Sequence, residues 1–402
     1  MARIPLPATT DPAADAAALL RRLGFAILTL GVPVMALFAR RAVVVMAPLG
    51  IVLLVIASAL DGGARPLKES LGRLTVTPTG VAAALVVLWC ALSLVWTPFP
   101  AEASERLFNI VGTVLLAVGG YLALPERMRS ANLYVLPVGV SVAALSATAL
   151  ALFARSDEAT QNLERGLVVL AILLWPAMGW LRSRGRHMES LLLALAAALA
   201  TMLGPSALPL QGLAAGAIVF GLAAASPRLG ATLTAGLMAG LLVVAPLLPF
   251  ILRPLVALVL GDGSGAAATL DAWRDVVLNE PVRLITGHGF ETALRSRYVG
   301  FLPQATPSTL LFEIWYELGI VGAWAAAVAL GVSARRAGRD HPLLVPGILA
   351  AYATAFAYAC LGIGTAQVWF LTTLAATVLI FVAAERGQFR TTRPKAMLRR
   401  RF

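Results

Sequence analysis

A small set of residues in this 402-residue chain has both the chemistry and the setting for reaction or recognition. His288 stands between Gly287 and Gly289, where an imidazole could take a proton from a hydroxyl; a plain polar loop residue is the alternative. Glu313 and Glu317 are four apart and so share one helix face, suited to orienting neighbours or moving a proton. Arg165 and Arg274 each carry a planar guanidinium fork that matches paired phosphate oxygens, with lipid headgroups as the other partner of the same chemistry. Arg283 and Arg295 extend this cationic set as substrate contacts, or, like Arg297, face solvent and headgroups. Ser308 adds a neutral hydroxyl just before Glu313. Trp315 and Tyr316 suit interfacial anchoring, with sugar stacking as the alternative.

Metal and disulfide chemistry have no framework. Cys90 and Cys360 both lie in apolar runs without a Cys-x-x-Cys or a nearby histidine, so neither a zinc site nor a bridge is expected. His187 and His341 sit among arginines on the side of the chain opposite His288.

The elements that position these residues are set by composition. Of all residues 59% are hydrophobic and 13% charged, and mean hydropathy is +0.84, far from the soluble norm of roughly a quarter charged. Lipid is therefore the solvent for most of the surface. Twelve apolar segments are long enough to span: 23–39, 42–60, 79–96, 107–124, 132–153, 166–181, 190–203, 208–225, 231–251, 308–330, 343–361 and 368–384. The fold class is all-α, a polytopic transmembrane helix bundle of about twelve spans.

Charge orients it. The net charge of +12 is carried by basic residues placed between apolar runs, which excludes a nucleic-acid platform and fits the positive-inside rule. With both termini cytoplasmic, 22 of the 32 Lys and Arg fall inside, including Arg21, Arg22, Arg182, Arg184, Arg186 and the tail, while 12 of the 20 carboxylates fall outside. Only Arg40 and Arg41 oppose this, and a tight hairpin would let them snorkel. The chain thus divides into a cytoplasmic 1–22, spans over 23–260, a periplasmic loop over 261–307, spans over 308–384, and a basic tail over 385–402. Within the loop, Leu270, Trp273, Val276 and Val277 share one face against Asp271, Arg274 and Asp275, which predicts an interfacial helix anchored by Trp273.

Three stretches resemble the O-antigen ligase and polymerase family. These are SLVWTPFPAEASERL over 93–107, NLERGLVVLAILLWPAMGWL over 162–181, and the order over 270–324 of a Trp helix, Glu-Pro, ITGHGF and LLFEIWYELGIVGAW. In the first, Trp96 and Pro98 mark the exit from one span and Arg106 the entry to the next. The resemblance implies a bacterial inner-membrane glycosyltransferase that moves glycan from a polyprenyl diphosphate to a glycan or lipid acceptor at the periplasmic face in envelope polysaccharide synthesis, without metal or cofactor. The chain departs from the family where a histidine motif falls on Thr306, Pro307, Ser308 and Thr309, where an arginine falls on Thr269, and where Ser-Arg falls on Ser206 and Ala207. An inactive relative that binds or transports lipid-linked glycan is therefore the alternative. Glu317 falls on the family's Glu-Leu-Gly, where Gly319 and Gly322 would permit close helix contact, and with His288, the one histidine on the external side, it is the catalytic candidate; Arg165, Arg274, Arg283, Arg295, Ser308 and Glu313 are the candidate substrate contacts, Arg274 in place of the arginine lost at Thr269. Arg165, Arg274, His288 and Glu317 are expected around one pocket, with transfer depending on Arg165 or Arg274 more than on His288.

The orientation is directly measurable. A single cysteine at Arg184 should resist an impermeant thiol reagent added to intact cells, whereas one within 261–307 should label. Labelling at 184 from outside would reverse the topology.

Overall fold

The computed structural model describes residues 12–62, 77–126, 128, 130–153, 156–340, 343–364 and 367–387. Arg3, Arg65, Lys68, Arg73, Arg127 and Arg129, which are among the 22 basic residues counted on the cytoplasmic side, the tail beyond Gly387, and His341 lie outside the described residues. Among the described residues every regular element is helical.

The main helices are α1 (Pro12–Ala26), α2 (Ala42–Leu60), α3 (Pro78–Ser93), α4 (Pro100–Ala123), α5 (Val135–Phe153), α6 (Asp157–Ser183), α7 (His187–Met202), α8 (Leu208–Ala225), α9 (Pro227–Val244), α10 (Leu248–Leu260), α11 (Gly265–Asn279), α12 (Thr292–Val299), α13 (Leu310–Asp340), α14 (Val345–Leu361) and α15 (Val368–Arg386). A π-helical turn, Ile27–Gly31, carries α1 on toward Met35. Side-chain caps start several helices: Thr77, Ser156 and Ser264 accept from the amides of Gly80, Ala159 and Ala267, answering backbone donors that have no intrahelical partner.

Among the described residues nine helices are long and apolar enough to cross a membrane, and α3, α7 and α14 are shorter apolar helices. Each of the twelve segments read from the sequence coincides with one of these twelve helices. The outward faces explain why water is the wrong solvent. On α3, Val81, Leu85, Leu88 and Leu92 recur at helical spacing and are exposed, while Ala82, Cys90 and Ser93 are buried. Large apolar side chains face out and small or polar ones face in, the reverse of a soluble helix and the arrangement of a multi-pass membrane protein.

The centre is α6. From Gly166 through Leu181 every residue is buried, as its all-round apolar sequence requires. Helices α5, α7, α8, α14 and α15 enclose it. Trp175 donates from Nε1 to Thr354 Oγ1 at 2.8 Å, and Tyr358 donates to the Pro209 carbonyl at 2.8 Å, so these two buried polar groups are paired. Gly216 lets α8 approach both Trp175 and Thr354, leaving no room for a side chain.

At one end of the bundle arginines close the helix C-termini. Arg386 donates to the Leu124 carbonyl at 2.6 Å, and Arg184 to the Gly387 carbonyl at 2.6 Å. At the other end lie the N-terminal turns of α4, α12, α13 and α15, and the candidate site is built there.

The loop helix forms, but its apolar face has a different partner from the one expected. Trp273 is buried and meets Phe312 edge-to-face at 5.9 Å, and Leu270, Val276 and Val277 join the same cluster as Trp315 and Leu242. Protein therefore covers the face assigned above to the lipid interface, and Trp273 is no interfacial anchor. Trp315 is likewise buried and donates to the Leu242 carbonyl at 2.6 Å. Asp271, on the polar face, accepts from Arg253 of α10 and forms an ion pair with Arg274 at 3.5 Å.

A leucine at Gly216 should overpack the α6–α8–α14 contact by about 1–3 kcal/mol. Thermal unfolding of detergent-solubilised protein should show a lower midpoint for Gly216→Leu, with Gly221→Leu, whose position is open, close to the parent.

Candidate functional site

The site begins with a break in α13. Gly319 adopts φ 62° and ψ −158° inside an otherwise helical run, a conformation open only to glycine. Gly319 permits a close backbone contact, as expected, but with Ile285 and Gly287 and at a kink in its own helix. A break of this kind frees carbonyls that the next turn would have bonded, and at membrane depth each needs another donor. The neighbouring segments supply them: His288 N donates to Tyr316 O at 2.8 Å, Gly289 N to Glu317 O at 3.0 Å, and Trp89 Nε1 to Leu318 O at 2.8 Å. Gly287 belongs to the same contact, since a Cβ there would collide with the Glu317 carbonyl.

Docking the 285–290 segment on this break fixes the position of the residues after it. Phe290 donates its amide to Ser93 Oγ at 3.1 Å, and Thr97 Oγ1 donates to the Phe290 carbonyl at 3.0 Å. The next residue, Glu291, is buried and holds φ 68°, among the described residues the one non-glycine at positive φ. Its carboxylate accepts from Arg106 Nη1 at 2.6 Å. The same nitrogen lies 3.4 Å from both oxygens of Glu317, which also accepts from the Ala293 amide at 3.2 Å. Arg106 lies over the Phe290 ring at 4.6 Å. A guanidinium between two buried carboxylates is the arrangement that makes such charges tolerable in a low-dielectric interior.

Outside this triad lies a cleft of about 200 Å³, lined by Glu102, Glu105, Arg106, Asn109, Glu291 and Arg295 among others. Four of these belong to one stripe of α4, at i, i+3, i+4 and i+7, so the first two turns of a span present a polar face. Arg295 contributes from α12, its side chain 40% exposed and its Nε 3.4 Å from Glu291. The far wall includes Leu371 of α15, and Leu371 also lines a second, larger space. That second space is an apolar cavity of about 670 Å³ between α6, α9, α13, α14 and α15. Its walls run from Leu310 and Ile314 at the site end to Ala337 and Glu385 near the other end.

The residues singled out in the sequence are divided by this geometry. Glu317 is in the triad and Arg295 in the cleft. Glu313 faces Arg297, 4.0 Å away. His288 lines a different space: its ring stacks on Tyr316 at 4.0 Å, one nitrogen is 3.0 Å from the Tyr316 carbonyl and the other 2.7 Å from Glu280. With Arg283, Glu280 and Trp273 it lines a separate crevice of only about 20 Å³. Both ring nitrogens of His288 are thus engaged, and through them the residue ties the loop to α13. Arg274 is paired with Asp271 at 3.5 Å and Asp275 at 3.6 Å. Arg165 stands 6.0 Å over the Trp369 ring, next to the cleft residue Val368, and neighbouring Glu164 accepts from Ser206 at 2.6 Å. Ser308 is half-buried just ahead of α13, and Thr269 donates to the Gly265 carbonyl of its own helix. Glu317 thus stands with Arg106 beside the cleft, His288 lines the separate crevice, and Arg165 and Arg274 line neither space.

Two contributors were missed. Glu291 carries no local signal, since its burial depends on long-range docking. The α4 stripe was legible: Glu102, Glu105, Arg106 and Asn109 recur at helical spacing on the leading turns of an otherwise apolar segment. Compared with known proteins, the chain matches no family model and no curated protein.

Arg106→Ala leaves Glu291 and Glu317 buried without their shared cation and should cost about 3–5 kcal/mol. Denaturant unfolding in detergent should register that loss, while Arg186→Ala, which removes an exposed pair with Glu189, should stay within about 0.5 kcal/mol of the parent.

Proposed function

We propose that this protein holds a lipid-linked glycan, with the sugar in the polar cleft and the lipid chain in the apolar cavity, and transfers the glycan at that end of the bundle. One observation carries the reading: the two spaces share Leu371 as a wall residue, one lined by carboxylates, arginines and an amide, the other almost wholly by aliphatic and aromatic side chains. An amphiphile whose headgroup bears hydroxyls and anionic oxygens complements both at once.

The donor class is a polyprenyl diphosphate glycan and the acceptor a second glycan or a lipid, as the resemblance to the O-antigen ligase and polymerase family implies. On this reading the site end is periplasmic, both termini are cytoplasmic, and the membrane is the bacterial inner membrane. Arg295 is the cation placed to meet the diphosphate, because its side chain reaches the open cleft while Arg106 is engaged by two carboxylates. Arg165, beside Trp369, approaches the same end from α6 and is the second cation to test.

A binding-only reading is favoured by one observation. The family's histidine motif falls on Thr306 to Thr309, and His288 is committed to Tyr316 and Glu280.

The test is purification from a bacterial membrane, mass spectrometry of the retained lipid, and a glycan-transfer gel. A polyprenyl-linked glycan should be retained. Arg295→Ala should weaken its binding by about ten- to a hundredfold, the scale of one or two charge-assisted hydrogen bonds. Ala355→Trp, which fills the cavity, should reduce retention without altering the cleft. Recovery of bulk phospholipid alone, unchanged in both variants, would remove the proposal. Retention without any transfer selects the binding-only reading.

A further inference from the structure

Glycan transfer from a diphosphate needs a base for the incoming hydroxyl; no histidine stands at 306–309, and both ring nitrogens of His288 are engaged away from the cleft. The carboxylates around the cleft can be sorted by what already engages them. Glu291 and Glu317 share Arg106, and Glu317 also takes the Ala293 amide. Glu313 faces Arg297, and Glu280 holds His288. Glu102 lies in the first turn of α4, where its charge answers the helix N-terminus. Glu105 is past that turn, forms no ion pair or hydrogen bond among the described residues, and lines the cleft beside Asn109 and opposite Arg295. The fold makes no structural use of it, and it is exposed to whatever enters.

We infer that Glu105 is the catalytic base of this site, taking the proton from the acceptor sugar's hydroxyl as that oxygen attacks the anomeric carbon of the lipid-linked glycan. The inference rests on the transfer reading given above. In the step, the acceptor O–H bond breaks and its proton goes to the Glu105 carboxylate. The new bond joins the acceptor oxygen to the anomeric carbon, and the bond from that carbon to the diphosphate oxygen breaks. The polyprenyl diphosphate leaves with the electron pair, next to Arg295. Asn109, one turn along the same face, is placed to donate to a sugar hydroxyl and set the acceptor against Glu105.

The experiment uses full-length protein in lipid nanodiscs, polyprenyl diphosphate glycan as donor, and three variants: Glu105→Gln, Glu105→Ala and Glu105→Asp. Glu105→Gln should lower kcat by about a hundredfold or more while KM for the donor stays within about threefold. Glu105→Asp should retain more activity than Glu105→Gln, and added formate should restore part of the Glu105→Ala rate by supplying a carboxylate. Glu105→Gln turning over within about threefold of the parent would overturn the assignment and leave the transfer reading standing. Loss of donor retention in all three variants would also overturn it, by making Glu105 structural. If the parent itself retains donor but transfers nothing, the base falls together with the transfer reading, and the binding-only protein remains.

Discussion

The backbone break at Gly319 is the constraint on which the site depends. A helix crossing hydrocarbon must satisfy its own carbonyls, and a residue that leaves helical geometry releases a turn of them at once. Here Tyr316, Glu317 and Leu318 offer those carbonyls to His288, Gly289 and Trp89. The loop is therefore held by main-chain bonds to a rigid span and not by side-chain contacts alone. Because the loop donors are consecutive amides, its register against α13 is fixed within one residue. Glu291 then falls beside Arg106 without further choice.

The charge cluster follows from that register and reinforces it. Arg106 enters from α4, Glu317 from α13 and Glu291 from the segment leading to α12, so three stretches far apart in the chain are tied at one guanidinium. Buried charges of this kind add little net stability over an apolar replacement, yet losing one partner is costly. They act as a specificity device for the assembled end of the bundle. Glu291 maintains a left-handed backbone at this point, a local cost borne where the surrounding contacts determine the conformation on every side. Beside this rigid knot the cleft keeps Glu105, which forms no ion pair or hydrogen bond among the described residues, and Arg295, 40% exposed with its Nε facing Glu291 at 3.4 Å.

The remainder of the molecule is a scaffold built from the inside out. Its core is a helix buried along most of its length, and its outer faces carry the large aliphatic side chains that lipid solvates. Association under such conditions depends on close packing of small residues and on paired polar atoms, as at Gly216 with Trp175 and Thr354. Packing of that quality leaves few voids, which makes the apolar cavity beside Leu371 notable among the described residues.

Hydropathy was sufficient for the helices. Apolar runs in lipid have one solution for their backbone bonds, so the helices were legible, nine of them among the described residues long enough to cross a membrane, as were the amphipathic character of α11 and the polar stripe of α4. The partner of each face was not. Trp273 and Trp315 have the same chemistry at a headgroup interface as against Phe312 or the Leu242 carbonyl, and only the docking of α11 and α9 on α13 decides between them. Glycines within Glu-Leu-Gly-Ile-Val-Gly read equally as a packing motif or as a break, because the outcome turns on whether outside donors exist for the freed carbonyls. His288 looked available in sequence for the same reason: its engagement lies in Tyr316 and Glu280, residues 28 and 8 positions away. Local sequence thus determined which residues form helices and which of their faces are polar, since those depend on periodicity and solvent alone. Tertiary structure decided which charges are spent on one another and which remain for a ligand, since burial and pairing at long separation depend on register that no local pattern encodes.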